Sequence, residues 1–281
     1  MLKLNILNLF DVIFAPNMNY ALVTGGSSGM GLEYIKLLAQ QGYNIIIVAL
    51  TQGETDAAKD LLHSLYPDTD ILSIGIDLSE AGAAHDLFRR IKELRPEAQV
   101  EVLVNNAGIL YPRHFYNMTG EQVGRIIMVH NYTLSMLCHL FLPQMLERGK
   151  GYILNVSSMA ASFPYPFISL YAATKSFTKV FTRALRTELI GTGVVVSAIY
   201  FGAVSTPLYT LSEKWRNLAI RLGIMITPQK ASRIALKMLF AGKSGKTPGL
   251  FNKIIVPVSK MLPHRLIGAI DRFVTKHWNF K

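Results

Sequence analysis

Short apolar runs alternate with stretches of helical periodicity along most of this chain, and that alternation constrains its fold more than any other feature. Residues 44–50 (NIIIVAL) are apolar on both faces, as a strand buried between two layers of helices is. Strand, helix and strand in succession are the repeating unit of a parallel sheet. The sequence therefore predicts an α/β fold in which helices flank one doubly wound parallel sheet.

The predicted elements follow one another with short connections. Strands are predicted at residues 20–24, 44–50, 70–76, 100–105, 152–156 and 194–199. Helices are predicted at residues 31–41, 57–65, 83–94, 121–147 and 171–189. Residues 207–250 contain no clear strand and are predicted to form a helical excursion followed by a loop.

The single cysteine, Cys138, excludes a disulfide within the chain and favours a reducing compartment. It lies in an apolar run and is predicted to be a buried structural residue. Residues 2–14 are apolar but are interrupted by two asparagines and one aspartate, which suits neither a membrane-spanning helix nor a signal peptide. They are either an interfacial amphipathic anchor or a segment ahead of a translation start at Met18.

Positive charge is concentrated in the C-terminal quarter. Residues 1–212 carry 15 Lys and Arg against 16 Asp and Glu, whereas residues 213–281 carry 14 against 2. Such a segment indicates an anionic partner surface, either lipid or nucleic acid, or a solvated face that only aids solubility. No nucleic-acid recognition motif accompanies the basic residues, so a nucleic-acid partner is not predicted.

Residues 263–276 have the spacing of an amphipathic helix. Its apolar side chains are Leu266, Ile267, Ile270, Phe273 and Val274, and its basic ones are Arg265, Arg272 and Lys276. This pattern fits a lipid interface as well as it fits packing on the same or a partner subunit. The predicted location is cytoplasmic, with peripheral membrane contact through the tail as an option.

A glycine-rich turn joins the first predicted strand to the first predicted helix. Its spacing is Gly25-x3-Gly29-x-Gly31, which differs from both the common dinucleotide fingerprint and the P-loop. Glycines permit a tight turn and close approach of the backbone to a pyrophosphate, which the helix N-terminus then attracts. The residues predicted to hold a dinucleotide here are Thr24, Gly25, Ser27, Ser28, Gly29, Met30 and Gly31.

Polar residues follow three further strands, at the edge where open parallel sheets bind ligands. Asp77 follows the third strand and could accept a hydrogen bond from an adenine amine. Asn105-Asn106-Ala107-Gly108 follows the fourth, and its small residues would let the backbone lie against a ribose. Ser157-Ser158 follows the fifth. Each alone is an ordinary turn or cap residue, but their succession at strand ends favours a nucleotide site.

Tyr171 and Lys175 are four residues apart at the start of a predicted helix, so they share one face. An ammonium near a phenol favours the phenolate and lowers its pKa from the usual value near ~10. The tyrosine could then donate a proton to a carbonyl oxygen as hydride arrives, or accept one in the reverse direction. Ser158 could hold the same oxygen through its hydroxyl group.

Taken in order, these residues resemble the short-chain dehydrogenase/reductase family over about residues 19–208. The matching pieces are Thr24-Gly25-x3-Gly29-x-Gly31, Asp77, Asn105-Asn106-Ala107-Gly108, Asn131, Ser158, Tyr171-x3-Lys175 and Thr206. The resemblance implies a Rossmann-like sheet and NAD(P)-dependent interconversion of a ketone and a secondary alcohol, with no metal site. The segments would be an N-terminal apolar extension (1–18), a dinucleotide-binding catalytic domain (19–250) with a lid at about 207–228, and a basic amphipathic tail (251–281).

The resemblance also implies a role for each catalytic residue. Tyr171 would be the acid/base, Lys175 would tune it and bind the nicotinamide ribose, and Ser158 would position the substrate carbonyl. Asn131 would hold a water in the proton relay, although a residue that merely kinks a helix is the alternative. Thr206 would meet the nicotinamide carboxamide.

Two features depart from the family pattern or leave it open. The family usually has Pro-Gly after the sixth strand, where this chain has Phe201-Gly202, so the backbone before Thr206 is expected to run differently. The end of the second strand, Ala49–Gln52, has neither an acid for the ribose hydroxyls of NAD nor an arginine for a 2′-phosphate. Since no carboxylate repels the phosphate, NADP is weakly preferred over NAD.

Residues 159–170 are largely apolar and are predicted to line the mouth of the site, with further apolar residues in the lid. Core packing explains about half of these residues equally well. The stretch is similar to reductases of 3-ketoacyl thioesters, 3-ketosphinganine and ketosteroids, which implies an apolar, lipid-like ketone or alcohol as substrate. The alternative function is a nucleotide-binding pseudo-enzyme or scaffold at a membrane surface. A homodimer or homotetramer is expected by family analogy alone.

Overall fold

The strands of the structure have clear bounds and form two sheets. This computed structural model describes residues 18–206, 213–248 and 262–277. The strands are β1 Asn19–Thr24, β2 Asn44–Ala49, β3 Ile71–Gly75, β4 Gln99–Asn105, β5 Gly151–Ser158, β6 Val194–Phe201, β7 Ala203–Val204, β8 Met225–Ile226 and β9 Gly245–Lys246. Seven of them form the main sheet in the order β3-β2-β1-β4-β5-β6-β9, and every neighbouring pair is parallel. The predicted doubly wound parallel sheet is therefore confirmed.

Helices cover both faces of the main sheet. They are α1 Gly29–Ala39, α2 Gln52–Leu65, α3 Ala83–Leu94, α4 Gly120–Ile127, α5 Leu134–Glu147, α6 Ser169–Glu188, α7 Glu213–Arg221, α8 Pro228–Phe240 and α9 His264–His277. Alternate residues of β2 show why the strands are so apolar. Ile46 and Val48 join the apolar layer beneath α3 and α5, whereas Ile45 and Ile47 join the layer beneath α1 and α8. A strand buried on both faces has no solvent-exposed face on which polar residues would be favourable.

The strand order reverses between β1 and β4, which are neighbours in the sheet although β2 and β3 separate them in the chain. The chain therefore leaves these two strands toward opposite faces, and a crevice opens between their loops at the carboxyl edge. The glycine turn follows β1 and residues 106–108 follow β4, so the topology brings the two predicted nucleotide-binding segments together.

Two predicted elements are corrected by the structure. The second helix begins at Gln52 rather than at residue 57, because Thr51 and Glu54 form a reciprocal capping box at its N-terminus. The prediction that residues 207–250 contain no strand is wrong, since β8 pairs with β7 and β9 extends the main sheet beside β6. Strands of two residues are too short to produce a period that sequence patterns can show.

The helix predicted at residues 121–147 is one uninterrupted helical segment. A π-helical turn, Met128–Thr133, lies between α4 and α5. Gly120–Glu147 is the one helix in the described ranges that is long and apolar enough to cross a membrane, with a mean hydropathy of 1.3. It is a core helix of the domain, because α5 packs against α3, β4 and β5. Cys138 lies on its inner face and is buried, as predicted.

The C-terminal helix α9 coincides with the amphipathic helix predicted at residues 263–276. His114 Nε2 lies 3.1 Å from Asp271 Oδ2, which connects α9 to the loop after β4. Several predicted segments lie outside the described part of the chain: residues 1–17 of the N-terminal extension, 207–212 of the lid, and 249–261 and 278–281 of the domain end and tail. The side chains of Ile270, Phe273, Val274 and Lys276 lie outside it too.

Candidate active site

The loops after β1 and β4 are joined by hydrogen bonds from Thr24. Its Oγ1 atom accepts from the backbone N–H groups of Asn106 and Ala107, both at 3.0 Å. The Asn106 amide donates in return to the Thr24 carbonyl at 2.9 Å. Thr24 is buried beneath the loops, so it holds the predicted nucleotide cradle together without lining it.

The glycine turn requires glycine at three positions for two different reasons. Gly25 and Gly29 have φ values of +65° and +54°, a backbone conformation that other residues adopt at a cost. A Cβ atom on Gly31 would lie 1.8 Å from the Gly25 carbonyl oxygen, so only glycine lets α1 begin this close to the turn. The N-terminal end of α1 thereby faces the crevice, which suits a phosphate.

One cleft of about 210 Å³ contains most of the predicted site residues. The predicted residues that line it are Gly25, Ser28, Gly29, Met30, Ala107, Gly108, Ser158, Tyr171, Lys175 and Thr206. The predicted residues that do not line it are Thr24, Ser27, Gly31, Asp77, Asn105 and Asn131. Asn106 and Ser157 also line the cleft, as members of strand-end segments that the sequence singled out. Further lining residues were not assigned to the site from the sequence: Val156, Phe201, Gly202 and Val204. These flank the predicted positions at the strand ends, and that proximity is the signal that could have found them.

Lys175 is the buried cation of the site. Its Nζ atom donates to the Val156 carbonyl at 3.0 Å and lies 5.6 Å from the centroid of the Tyr171 ring. Burial lowers the pKa of Lys175 to about 8, because the charged form loses its hydration. Both residues lie in the first two turns of α6, so the four-residue spacing places them on one face as predicted.

Ser158 ends β5 and caps the short 3₁₀ helix that follows it. Its Oγ atom accepts from the Ala160 N–H at 3.1 Å and lies 3.4 Å from the Phe201 carbonyl, to which it donates. Phe201 is thus hydrogen-bonded to Ser158 at the place where the resemblance leads one to expect proline. Thr206 still reaches the cleft lining, two residues after β7.

Two residues predicted to bind cofactor have side chains that are engaged elsewhere. The Asn105 amide is buried and donates to Asn155 Oδ1 at 2.9 Å, away from the cleft lining. Asp77 accepts from Arg125 at 2.9 Å and from the Ser79 backbone N–H at 2.9 Å. Although burial alone raises the pKa of Asp77, its hydrogen bonds from Ser79 and the charge of Arg125 hold it below the usual value. The adenine contact of Asp77 stays a prediction.

Asn131 lies in the π-helical turn, which packs against α6. Its Oδ1 atom is buried and has no hydrogen-bond partner among the residues that the structure describes. A buried carbonyl without a protein partner is usually satisfied by water or ligand. A π turn inside an α-helix is frequent at functional sites. Both features fit the predicted water site, which stays a prediction.

His130 belongs to the site and was missed from the sequence. Its Nε2 atom accepts from the Ile109 backbone N–H at 2.9 Å, and its Nδ1 atom lies 2.8 Å from Thr174 Oγ1. The ring meets the Tyr171 ring edge to face at 5.6 Å. A single histidine on a long helix has no motif around it, so its burial beside Tyr171 was not visible in the sequence.

The predicted ribose position, at residues 50–52 after β2, lies outside the lining of this cleft. After β2, Leu50 is 54% exposed, and Thr51 is occupied as the cap of α2. Gln52 donates to Asp56 Oδ1 at 2.8 Å and accepts from the Gly75 N–H at 2.8 Å. Thr51 and Gln52 are therefore engaged by neighbouring groups of α2 and β3, and residues 50–52 carry no charged side chain of their own toward a phosphate.

The chain is similar to known oxidoreductases over most of its length. The model of the short chain dehydrogenase family matches residues 19–217. A very-long-chain 3-oxoacyl-CoA reductase of Bos taurus is 28% identical over 260 residues, which is 90% of this chain and 78% of that protein. The inactive hydroxysteroid dehydrogenase-like protein 1 of Homo sapiens is 30% identical over 192 residues, which is 67% of this chain and 57% of that protein.

A solved structure supports the same relationship. The 3-ketoacyl-(acyl-carrier-protein) reductase of Brucella melitensis, complexed with NADH, is 26% identical to this chain. It superposes with a TM-score of 0.72, covering 82% of this chain and 96% of that one.

Proposed function

This chain belongs to the short-chain dehydrogenase/reductase family, whose members are NAD(P)-dependent oxidoreductases, and from that premise we propose that it reduces a lipid-like ketone with NADPH. One observation carries the proposal: Tyr171, Lys175 and Ser158 line a single cleft together with the glycine turn. The residues present suit a dinucleotide, because the turn leaves no room for a side chain at Gly31 and the N-terminus of α1 would attract the phosphates.

The chain's own residues supply the proton and orient the substrate. Bound NADPH would supply the hydride that the carbonyl carbon receives. Ser158 donates a hydrogen bond to the carbonyl oxygen, and Tyr171 gives that oxygen its phenolic proton. The Lys175 ammonium stabilises the phenolate that remains. Asn131 Oδ1 holds a water through which the proton is replaced.

The preference for NADPH is argued from the end of β2. An NAD site normally has a carboxylate there to bind the ribose hydroxyls, and that carboxylate repels a 2′-phosphate. Here the exposed residue after the strand is Leu50, so repulsion is absent at that position. The preference for NADPH is modest, because residues 50–52 are Leu, Thr and Gln and none of them is an arginine that would attract the 2′-phosphate.

The lipid-like substrate is argued from the aromatic residues before Tyr171 and from the relatives. Phe163 and Tyr165 lie with ring centroids 5.3 Å apart, and Phe167 meets the His114 ring at 5.4 Å. The C-terminal helix lies beside this segment, since Ile267 of α9 lines one cavity together with Phe163 and Tyr165. Phe163 and Tyr165 line that second cavity and not the cleft of Tyr171, so their place at the site mouth stays a prediction. A 3-oxoacyl-CoA reductase among the relatives agrees with it.

An absorbance assay tests the proposal directly. NADPH and NADH consumption is followed with a panel of 3-keto lipids, ketosteroids and short polar ketones. We expect kcat/KM for the apolar ketones to exceed that for the short ones by at least about tenfold, because two buried methylenes are worth that much. Turnover confined to short polar ketones would contradict the substrate class. NADPH binding without any turnover would support the scaffold, and one relative is named inactive.

Peripheral membrane contact is a separate part of the proposal. The basic C-terminal quarter and the exposed Leu266 of α9 support it. The protein should co-float with liposomes that contain anionic lipid and should be released by high salt, whereas neutral liposomes serve as the control. Failure to co-float would remove the membrane contact. The homodimer or homotetramer expected from the family is tested by light scattering during size-exclusion chromatography.

A further inference from the structure

His130 is fully buried between the loop after β4 and the catalytic helix α6. Gly108 in that loop also passes close to the ring: a Cβ atom there would lie 3.2 Å from His130 Nε2 and 3.8 Å from Lys175 Nζ. The imidazole therefore lies where the nucleotide-binding loop, Lys175 and Tyr171 meet. Its burial and the positive charge of Lys175 both hold the pKa of His130 well below 6.5, so the ring is neutral at neutral pH.

The hydrogen bonds of His130 fix its tautomer. The Ile109 backbone N–H can only donate, so Nε2 must be the unprotonated nitrogen that accepts. The proton of the neutral ring is then on Nδ1, and it is donated to Thr174 Oγ1 at 2.8 Å. The Thr174 hydroxyl donates in turn to the Tyr171 carbonyl at 2.8 Å. One directed chain of hydrogen bonds thus runs from the nucleotide-binding loop through His130 to the backbone of Tyr171.

The same imidazole touches the side chain of Tyr171. The two rings meet edge to face with centroids 5.6 Å apart, while Lys175 Nζ lies 5.6 Å from the same Tyr171 ring. Edge-to-face contacts are favourable and restrain the orientation of both rings. Tyr171 is therefore held at its backbone by Thr174 and at its ring by His130.

We propose that His130 is a positioning residue for the ketone reduction: through Thr174 and through its ring, it holds Tyr171 in register with the nucleotide-binding loop. The proposal rests on the proposed function, because Tyr171 must be the proton donor for its orientation to matter. It does not give His130 a part in proton transfer, since both of its ring nitrogens are already engaged.

Three substitutions at position 130 test separately its hydrogen bond from the Ile109 N–H and its hydrogen bond to Thr174. Asn at this position places its amide N–H where Nδ1 is, so His130→Asn keeps the bond to Thr174. Gln places an acceptor near Nε2, so His130→Gln keeps only the bond from Ile109. His130→Leu keeps neither. We expect kcat to fall roughly 30-fold in the Leu variant and roughly threefold in the Asn variant, with KM nearly unchanged.

Thr174→Val removes the hydroxyl group from the chain of hydrogen bonds while His130 is kept. Valine fills the same space as threonine. The substitution should lower kcat by about tenfold, and in its presence the Asn variant should lose its advantage over the Leu variant. His139→Leu, on the exposed side of α5, is the matched control and should have wild-type kinetics. Melting temperatures identify any variant that fails to fold, in which case Thr174→Val carries the test.

The outcomes distinguish this proposal from the proposed function. If the wild-type protein reduces no ketone, the proposed function fails. In that case ¹⁵N NMR of labelled histidine still tests the geometry: the Nδ1–H tautomer that does not titrate near neutral pH supports it, and another tautomer overturns it. If the wild type is active, then equal kcat values for the Leu, Asn and wild-type proteins overturn the proposal. A loss confined to NADPH affinity overturns it too, because it would place the effect at the loop alone.

Discussion

The two ends of the predicted cofactor site, the catalytic end around Tyr171 and the ribose end after β2, are built in opposite ways. At the catalytic end, Lys175 and His130 are buried and each hydrogen-bonds a backbone group beside Tyr171. At the ribose end, Leu50 is exposed, and Gln52 is engaged with its own helix and with β3. Buried groups with fixed partners specify one chemistry, whereas an exposed neutral surface specifies little. The reaction is therefore sharply determined by the structure, and the choice between the two nicotinamide cofactors is not.

Removing the Tyr171 hydroxyl should have the largest effect. Tyr171→Phe is expected to lower kcat by about 10²–10⁴-fold, because general acid catalysis contributes that much. The affinity for NADPH, measured by fluorescence titration, should be unchanged. If kcat were unchanged as well, Tyr171 would not be the proton donor, and the catalytic end would not determine the reaction.

Replacing Lys175 should change the pH dependence as well as the rate. Reduction needs the ammonium form, and the pKa of Lys175 is about 8, so kcat/KM of the wild type should fall as pH rises through about 8. Lys175→Arg should be about 100-fold slower, because guanidinium geometry differs, but it should lack this decline since arginine stays charged. Lys175→Met should be slower still at every pH. A wild-type decline that persists in the arginine variant would show that another group titrates.

The glycine turn is the predicted phosphate site between the catalytic and ribose ends. Gly31 is the position in this turn with the least room for a side chain. Gly31→Ala should weaken NADPH binding by more than about tenfold, because the added Cβ would lie 1.8 Å from the Gly25 oxygen and must displace the turn. Gly53→Ala is the matched control, since nothing lies within 4 Å of its added Cβ and its φ is not positive. It should stabilise the fold by about 0.4–1 kcal/mol. Equal melting temperatures and affinities for the two variants would contradict the geometry of the turn.

The smallest effects are expected at the ribose end, where one residue should adjust the cofactor preference. Leu50→Arg should favour NADPH and Leu50→Asp should favour NADH, each by about tenfold in the ratio of dissociation constants. The opposite charges at one exposed position make the two variants controls for each other. If neither variant changed the ratio, the 2′-phosphate would not lie near Leu50.

The sequence predicts which residues lie at the carboxyl edge of the sheet, but it does not predict the direction in which each side chain points. The order of the glycine turn, Ser158 and Tyr171 along alternating strands and helices was enough to predict the sheet and to bring these residues to one edge. The inward side chain of Asn105 was not predictable, because its direction follows from the pairing of β4 with β5. His130 was not predictable either, because its role depends on contacts with two distant segments.

The measurement that tests the central claim most directly is the transfer of deuterium from labelled cofactor to product. The protein is incubated with NADPH deuterated at the hydride position and with a 3-keto lipid, and the alcohol is analysed by mass spectrometry. We predict one deuterium on the carbinol carbon with the wild-type protein and almost no alcohol with Tyr171→Phe. NADPH that binds in the glycine turn while no deuterium reaches any ketone would contradict the account.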